Sequence, residues 1–298
     1  MHKPTINGKQ YHIRCKPGDL ASYLLVPGDP ERVPKIASLW DEAREIAYHR
    51  EFRSFTGKYK GVYVSAISSG IGPSSMAIVV NEAANLGVKT FIRVGSTGAI
   101  QPYIDCGDLV ISTACVRLDG TSNNYVTPEY PAVADFEVLL ALIEAAESLG
   151  VNYHIGITAT TSDFYAGQTR IHPPISKAGN TLSAMRKARV LNFEMEAATL
   201  FVLSSLFGLR AGAICAVYAN RITKEFKPGA GEKECIKVAN EAVKILSEWD
   251  EEKQRKRKRW IYPKMITELQ TKEIAVSYTH LRAHETRHEL VCRLLLEK

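Results

Sequence analysis

Two apolar, β-branched runs that each close on glycine flank a single helical stretch, and this arrangement constrains the fold more than any other feature. Residues 62–67 lead into Ser69-Gly70-Ile71-Gly72, a helical segment follows at 76–86, and residues 91–94 lead into Gly95-Ser96-Thr97-Gly98. A strand, a helical crossover and a second strand of this kind imply parallel neighbours in one sheet. The expected fold class is therefore α/β, a three-layer α/β/α single domain around a central mixed, largely parallel sheet. The glycine pattern at 70–72 is not a dinucleotide fingerprint. Ser75 stands where the third glycine belongs, and Pro73 replaces the residue that would open the phosphate turn.

The remaining segments fit the same plan. Residues 23–26 end in Pro27-Gly28-Asp29-Pro30 and run into a helical segment at 32–40. This strand, tight turn and helix aim backbone N–H groups and Arg32 at whatever lies above the sheet. A short strand around Ala47 and Tyr48 precedes a hairpin with Gly57 and Gly61, and further strands are expected at 108–116, 154–161, 190–193 and 211–219. Helices are expected at 136–149, 197–207 and 232–249, and residues 172–189, rich in Pro, Gly, Ser and Lys, read as a loop able to close over a pocket.

Composition excludes several function classes. With 45% apolar and 23% charged residues in 298, the chain has the make-up of a soluble globular protein. No apolar segment follows Met1, and the longest apolar stretch, 197–209, is too short to span a bilayer, so a cytoplasmic protein with no membrane partner is expected. Residues 1–250 hold 26 Lys and Arg against 25 Asp and Glu, whereas 251–298 hold 12 against 7. The near-neutral main domain lacks the basic face of a nucleic-acid binder. Six cysteines fall singly, as reduced thiols do. The expected division is a domain at 1–250, a charged extension at 251–275, and a non-native or disordered tail at 276–298. Within that tail His284-Glu285-Thr286-Arg287-His288 matches the zinc-protease pattern formally, but too few residues follow to supply a third ligand, which makes it a chance match.

Three clusters carry chemistry. Arg93 sits inside an apolar strand, where a charge is costly without a partner. Its partner is either an anion such as phosphate, held with the glycine backbone and the Ser96 and Thr97 hydroxyls, or a core carboxylate above an ordinary turn. Phe164 and Tyr165 followed by Gln168 and Arg170 offer a stacking face and then in-plane donors, as a heterocycle with ring carbonyls requires; the plain alternative is a polar loop with a solvated arginine. Glu194 and Glu196 start a helix, where carboxylates favour the dipole, yet Glu196 also has two acceptor oxygens at the spacing of a ribose diol.

Gly28-Asp29-Pro30 with Arg32, Tyr48-His49-Arg50-Glu51-Phe52, Gly70-Ile71-Gly72, Arg93 to Gly98, Arg117-Leu118-Asp119-Gly120, Phe164 to Arg170 and Glu194-Met195-Glu196 stand in one order. In this the chain resembles uridine phosphorylases of the hexameric-type nucleoside phosphorylase family, in register from about His12 to about Leu246. The resemblance implies reversible phosphorolysis of uridine to uracil and ribose 1-phosphate, with inorganic phosphate as co-substrate and no organic cofactor. It implies phosphate binding by Gly28, Arg32, Arg93 and Ser96, with Arg50 reaching a neighbouring subunit's phosphate site. His12 would meet the neighbour's ribose 5′-hydroxyl, and Glu196 with the Met195 backbone would hold the 2′ and 3′ hydroxyls. Phe164 would stack on the base while Gln168 and Arg170, supported by Arg221, read its carbonyls. The catalytic weight would fall on Arg93, Gln168, Arg170 and Glu196. Glu51, Ile71 and Ser75 correspond to residues that bind a monovalent cation between subunits, and the implied assembly is a homohexamer, a trimer of dimers. Two departures stand out: the 171–189 loop is short, and Tyr218 and Ala219 replace branched apolar residues near the base pocket. The alternatives are a purine or broad-specificity phosphorylase of the same fold, which would place an aspartate where Arg221 stands, and a non-catalytic nucleoside-binding protein.

Overall fold

Residues 4–171 and 180–262 are described by the computed structural model of the protein. A hairpin of β1 (Thr5–Ile6) and β2 (Lys9–Gln10) comes first, then β3 (Tyr23–Val26), α1 (Arg32–Ala37), and the meander β4 (Glu42–His49), β5 (Phe52–Tyr59) and β6 (Val62–Ile67). The chain continues through α2 (Pro73–Asn85), β7 (Thr90–Ala99), β8 (Leu109–Leu118), β9 (Ala132–Val133), α3 (Phe136–Ser148) and β10 (Tyr153–Thr161). The last elements are α4 (Thr181–Lys187), β11 (Asn192–Glu194), α5 (Ala197–Leu206), β12 (Arg210–Asn220), β13 (Glu225–Phe226) and α6 (Glu232–Lys256). The chain divides into two compact units, Met1–Glu248 and Trp249–Lys298. The 276–298 tail with its His284 to His288 pattern lies outside the described residues.

One large mixed sheet runs in the order β13-β12-β8-β10-β11-β7-β3-β6-β5-β4. Parallel pairings join β6, β3, β7 and β12, and also β8, β10 and β11, while the β4–β5–β6 meander is antiparallel. The two glycine-closed strands of the sequence are parallel but not neighbours, because β3 lies between them, pairing Leu24 with Ser65 of β6 and with Phe91 of β7. Connection length fixes direction and leaves open which strand fills the gap. β12 pairs in parallel with β7 and antiparallel with β8, so β7, β12, β8, β10 and β11 close into a ring.

Helices cover both faces. Ala211 and Ala213 of β12 join the core cluster that contains the buried apolar residues of α2 and α5. Between them Gly212 lies against α3 on the opposite side, where an added Cβ would come within 2.4 Å of Val138 Cγ1. Residues 197–204 of α5 are buried throughout, which is why that helix reads as an unbroken apolar run rather than an amphipathic one. Each fully buried Leu, Val or Phe in such a core contributes about 1.5–3 kcal/mol.

Local chemistry moves several boundaries. α2 begins three residues before its apolar periodicity because Pro73 occupies the first helical position after Gly72, whose φ is 103°. β7 does not stop at Gly95 but runs through both glycines to Ala99. Part of the expected 172–189 loop is helical: α4 is capped by Asn180, whose side chain accepts a hydrogen bond from the Ser183 N–H. Residues 172–179 of that loop lie outside the described residues. Asp135 caps α3 by accepting from the N–H groups of Glu137 and Val138 at 3.0 and 3.1 Å. Asp135→Ala is expected to destabilise the domain by about 1 kcal/mol, read as a melting temperature lower by about 2–4 °C; Asp135→Asn should leave it nearly unchanged.

Candidate active site

A cavity of about 780 Å³ opens where the β3–α1 turn, the loop after β6, the end of β7 and the start of α5 meet. Gly28 and Arg32, Glu51, Gly70 and Ile71, and Arg93 and Ser96 line one end. Phe164, Gln168 and Arg170, with Ala219 and Phe226, line the other, Tyr218 lines the cavity within hydrogen-bond reach of Arg32, and Glu194, Met195 and Glu196 lie along the wall. The two glycine turns are laced together: the Gly70 N–H donates to the Gly28 carbonyl at 2.9 Å, and a Cβ on Gly28 would stand 3.2 Å from the Gly70 oxygen.

Arg93 is almost wholly buried and meets two carboxylates. Its Nε lies 2.9 Å from Glu194 Oε2 and its Nη2 pairs with Glu196 Oε2, while Nη1 is buried without a hydrogen-bond partner among the described residues. Of the two partners that the sequence allowed, the structure shows the core carboxylates. Burial opposes the guanidinium charge, but Glu196 and Glu194 outweigh it and raise the Arg93 pKa. Glycine is required beside it, since a Cβ at Gly95 would lie 3.0 Å from the Arg93 guanidinium carbon and 2.8 Å from Cys215 Sγ.

The two carboxylates have separate duties. Glu194 takes a hydrogen bond from the Thr160 hydroxyl on Oε1, and its Oε2 accepts from the N–H groups of Glu196 and Ala197 at 2.7 and 2.9 Å. It caps α5, as the dipole reading of the sequence has it, and it holds Arg93 as well. Glu196 accepts from the Gly72 N–H at 2.6 Å through Oε1, which ties the glycine turn to the site. Burial raises the Glu196 carboxyl, Arg93 pulls against the rise, and the Glu194 charge adds to it.

At the far end Gln168 is buried, with Nε2 donating to the Thr161 hydroxyl at 3.1 Å. The Arg170 guanidinium stacks 4.0 Å from the centre of the Phe164 ring, reaches Gln168 Oε1 at 3.5 Å, and has a buried Nε without a partner among the described residues. Arg221 donates to the Gln168 carbonyl and, at 3.3 Å, to the Thr169 carbonyl. Burial lowers the Arg170 pKa, and burial together with the Arg170 charge brings Arg221 down to about 10. Two guanidinium groups held close, with no carboxylate between them among the described residues, make this corner receptive to developing negative charge.

Of the residues expected at the site, Gly28, Arg32, Glu51, Ile71, Arg93, Ser96, Phe164, Gln168, Arg170, Met195 and Glu196 line the cavity. His12, Arg50, Ser75 and Arg221 do not. Arg221 stands behind the Gln168 loop, and His12 is held by Glu82, its Nδ1 lying 2.6 Å from Glu82 Oε1. Arg50 is exposed at the β4–β5 turn with φ 56°. Ser75 donates to Glu51 Oε1 at 3.1 Å and to the Ser69 carbonyl, and Ile71 is 81% exposed. Carboxylate and hydroxyl oxygens of this sort fit a hard monovalent cation. Thr97, expected to offer its hydroxyl to a ligand, instead donates to the Phe193 carbonyl at 2.6 Å and accepts from Asn192 Nδ2 at 2.7 Å. Glu232 was not legible as a site residue, because its role comes from a distant partner; Tyr218, expected near the base pocket, meets Arg32 and Glu232, and Gly72 of the glycine motif donates to Glu196.

A family model described as the Phosphorylase superfamily matches residues 22–248. The chain is 65% identical over 266 residues, 88% of its length and 95% of the relative's, to the uridine phosphorylase of Thermococcus kodakarensis. It is 42% identical over 247 residues, 79% of its length and 97% of the relative's, to the uridine phosphorylase of Escherichia coli. The guanosine phosphorylase of Halorubrum lacusprofundi is 36% identical over 235 residues, 79% of this chain and 93% of that protein.

Proposed function

Because this chain belongs to the phosphorylase superfamily, we propose that it is a pentosyltransferase catalysing the reversible phosphorolysis of uridine to uracil and ribose 1-phosphate. The observation that carries this reading is one cavity with Arg32 and Arg93 at one end, Glu196 on the wall, and Gln168 beside Arg170 at the other. Phosphate binds between the guanidinium groups with the Gly28 backbone and the Ser96 hydroxyl, and the unpartnered Nη1 of Arg93 is a donor for it. Glu196 and the Met195 backbone hold the 2′ and 3′ hydroxyls of the ribose, which fixes C1′ in front of the phosphate oxygen. Attack proceeds as the N-glycosidic bond opens, so positive character grows on the sugar next to the phosphate charge and negative character spreads over the uracil. Gln168 and Arg170, with Arg221 behind them, face that second charge, and Phe164 stacks on the ring. No protein nucleophile is required.

Arg50 and His12 stand away from this cavity, which supports an oligomer in which each subunit lends them to a neighbour's site, with the homohexamer as the assembly. Glu51, Ile71 and Ser75 would hold a monovalent cation between subunits. The catalytic domain in this reading is residues 1–250, with 251–275 and 276–298 outside it, and its place of action the cytoplasm. Base choice follows from donors alone, since paired guanidinium and amide groups suit the carbonyls of a pyrimidine, and Arg221 offers no proton of the kind a purine N7 takes up. Uracil release from uridine, measured with and without phosphate and beside thymidine, adenosine, inosine and guanosine, tests the proposal. Strict phosphate dependence with preference for uridine is expected, and phosphate-independent cleavage or a purine preference would overturn it.

A further inference from the structure

Tyr218 is the extra residue of a β-bulge. Along the β12–β7 ladder Val217 faces Thr97 and Ala219 faces Gly98, so Tyr218 has no register partner, and its side chain turns into the cavity. There its hydroxyl accepts from Arg32 Nη2 at 3.1 Å and donates to Glu232 Oε2. The same carboxylate oxygen takes Arg32 Nε at 3.0 Å, while Glu232 Oε1 takes Lys35 Nζ at 2.7 Å. Arg32 Nη1 is fixed to the Val94 carbonyl at 3.2 Å. A guanidinium has five N–H donors, so these contacts occupy three and leave one hydrogen on each terminal nitrogen beside the cavity.

Charge supports the same role. Glu232 sits in the first turn of α6, where a carboxylate is favoured. Burial would raise its carboxyl, but Lys35, Tyr218 and Arg32 hold it down at about 2, so it stays ionised. Arg32, Lys35 and Glu232 together carry one positive charge, and the guanidinium is held in one orientation before any anion arrives. Tyr218 and Glu232 are therefore suited to spare Arg32 the side-chain ordering that anion binding would otherwise demand.

We infer that Tyr218 and Glu232 are positioning residues for Arg32 that set the affinity of this enzyme for phosphate while leaving its grip on the nucleoside unchanged, which rests on phosphate lying at Arg32. Steady-state kinetics of Tyr218→Phe and Glu232→Gln with phosphate and uridine varied separately is the test. About a tenfold rise in the KM for phosphate is expected in each, with the KM for uridine within about twofold. In the background of Arg32→Lys, Tyr218→Phe should add little further change, because its effect passes through the guanidinium. Equal rises in both KM values, no rise in either, or full additivity with Arg32→Lys would overturn the inference. If Glu232→Gln does not fold, Tyr218→Phe, which keeps the ring, decides alone. Failure of the phosphorolysis reading is seen separately, as absence of phosphate-dependent uracil release in the unaltered protein.

Discussion

Arg170→Ala is expected to lower the turnover of uridine by about 100-fold or more with little change in melting temperature. The side chain is held by the Phe164 ring and by Gln168, its Nε is buried without a partner among the described residues, and burial already lowers its pKa. A cation kept in that condition is poorly satisfied until negative charge develops in front of it. Such a preorganised donor is typically worth on the order of 3 kcal/mol in the barrier. Because its interaction strengthens as the glycosidic bond opens, the loss should appear in kcat more than in the KM for uridine. Steady-state kinetics beside a thermal melt checks both parts, and unaltered turnover would remove Arg170 from the mechanism.

Arg93→Ala should abolish phosphate-saturable activity and also cost stability. The arginine separates Glu194 from Glu196, both buried, and without it two carboxylates remain with no counter-ion between them. Breaking a buried pair in this way costs about 3–5 kcal/mol. Adding Glu194→Gln to Arg93→Ala should restore part of the melting temperature by removing one buried charge, and it should restore no activity. Lysine is a poor substitute because a single ammonium cannot span both carboxylates and an anion as the planar guanidinium does. An ordinary KM for phosphate in folded Arg93→Ala would reduce Arg93 to a structural counter-ion, the plainer of the two roles open to a charge in an apolar strand.

Much of this was readable in the chain because the signals are local. Arg93 in an apolar strand, Glu196 at a strand-to-helix junction and Gln168 with Arg170 after two aromatics each declare a chemical need within a few residues, and all four line the cavity. Strand and helix positions follow from the same short-range periodicity. What stayed hidden depends on distant partners. The insertion of β3 between β6 and β7 is set by pairing across the sheet, and the bulge that turns Tyr218 inward is set by its register against β7. Glu232 meets Arg32 across 200 positions of sequence. Glu194 was readable as a helix cap, but its hold on Arg93 was not, because one residue type serves both purposes equally well. The start of α2 was missed for the opposite reason: apolar periodicity begins only at Met76, whereas Pro73 suits the first helical position.

The strands β7, β12, β8, β10 and β11 form a hoop with no free end. Arg93 and Glu194 are both riveted to it, so that ion pair cannot shift without deforming the whole circle. Gln168, Arg170 and Phe226 hang outside that hoop on the connection after β10 and on β13. Preference for one nucleobase over another can thus drift through changes in those outlying pieces, while the chemistry at the anomeric carbon is inherited intact.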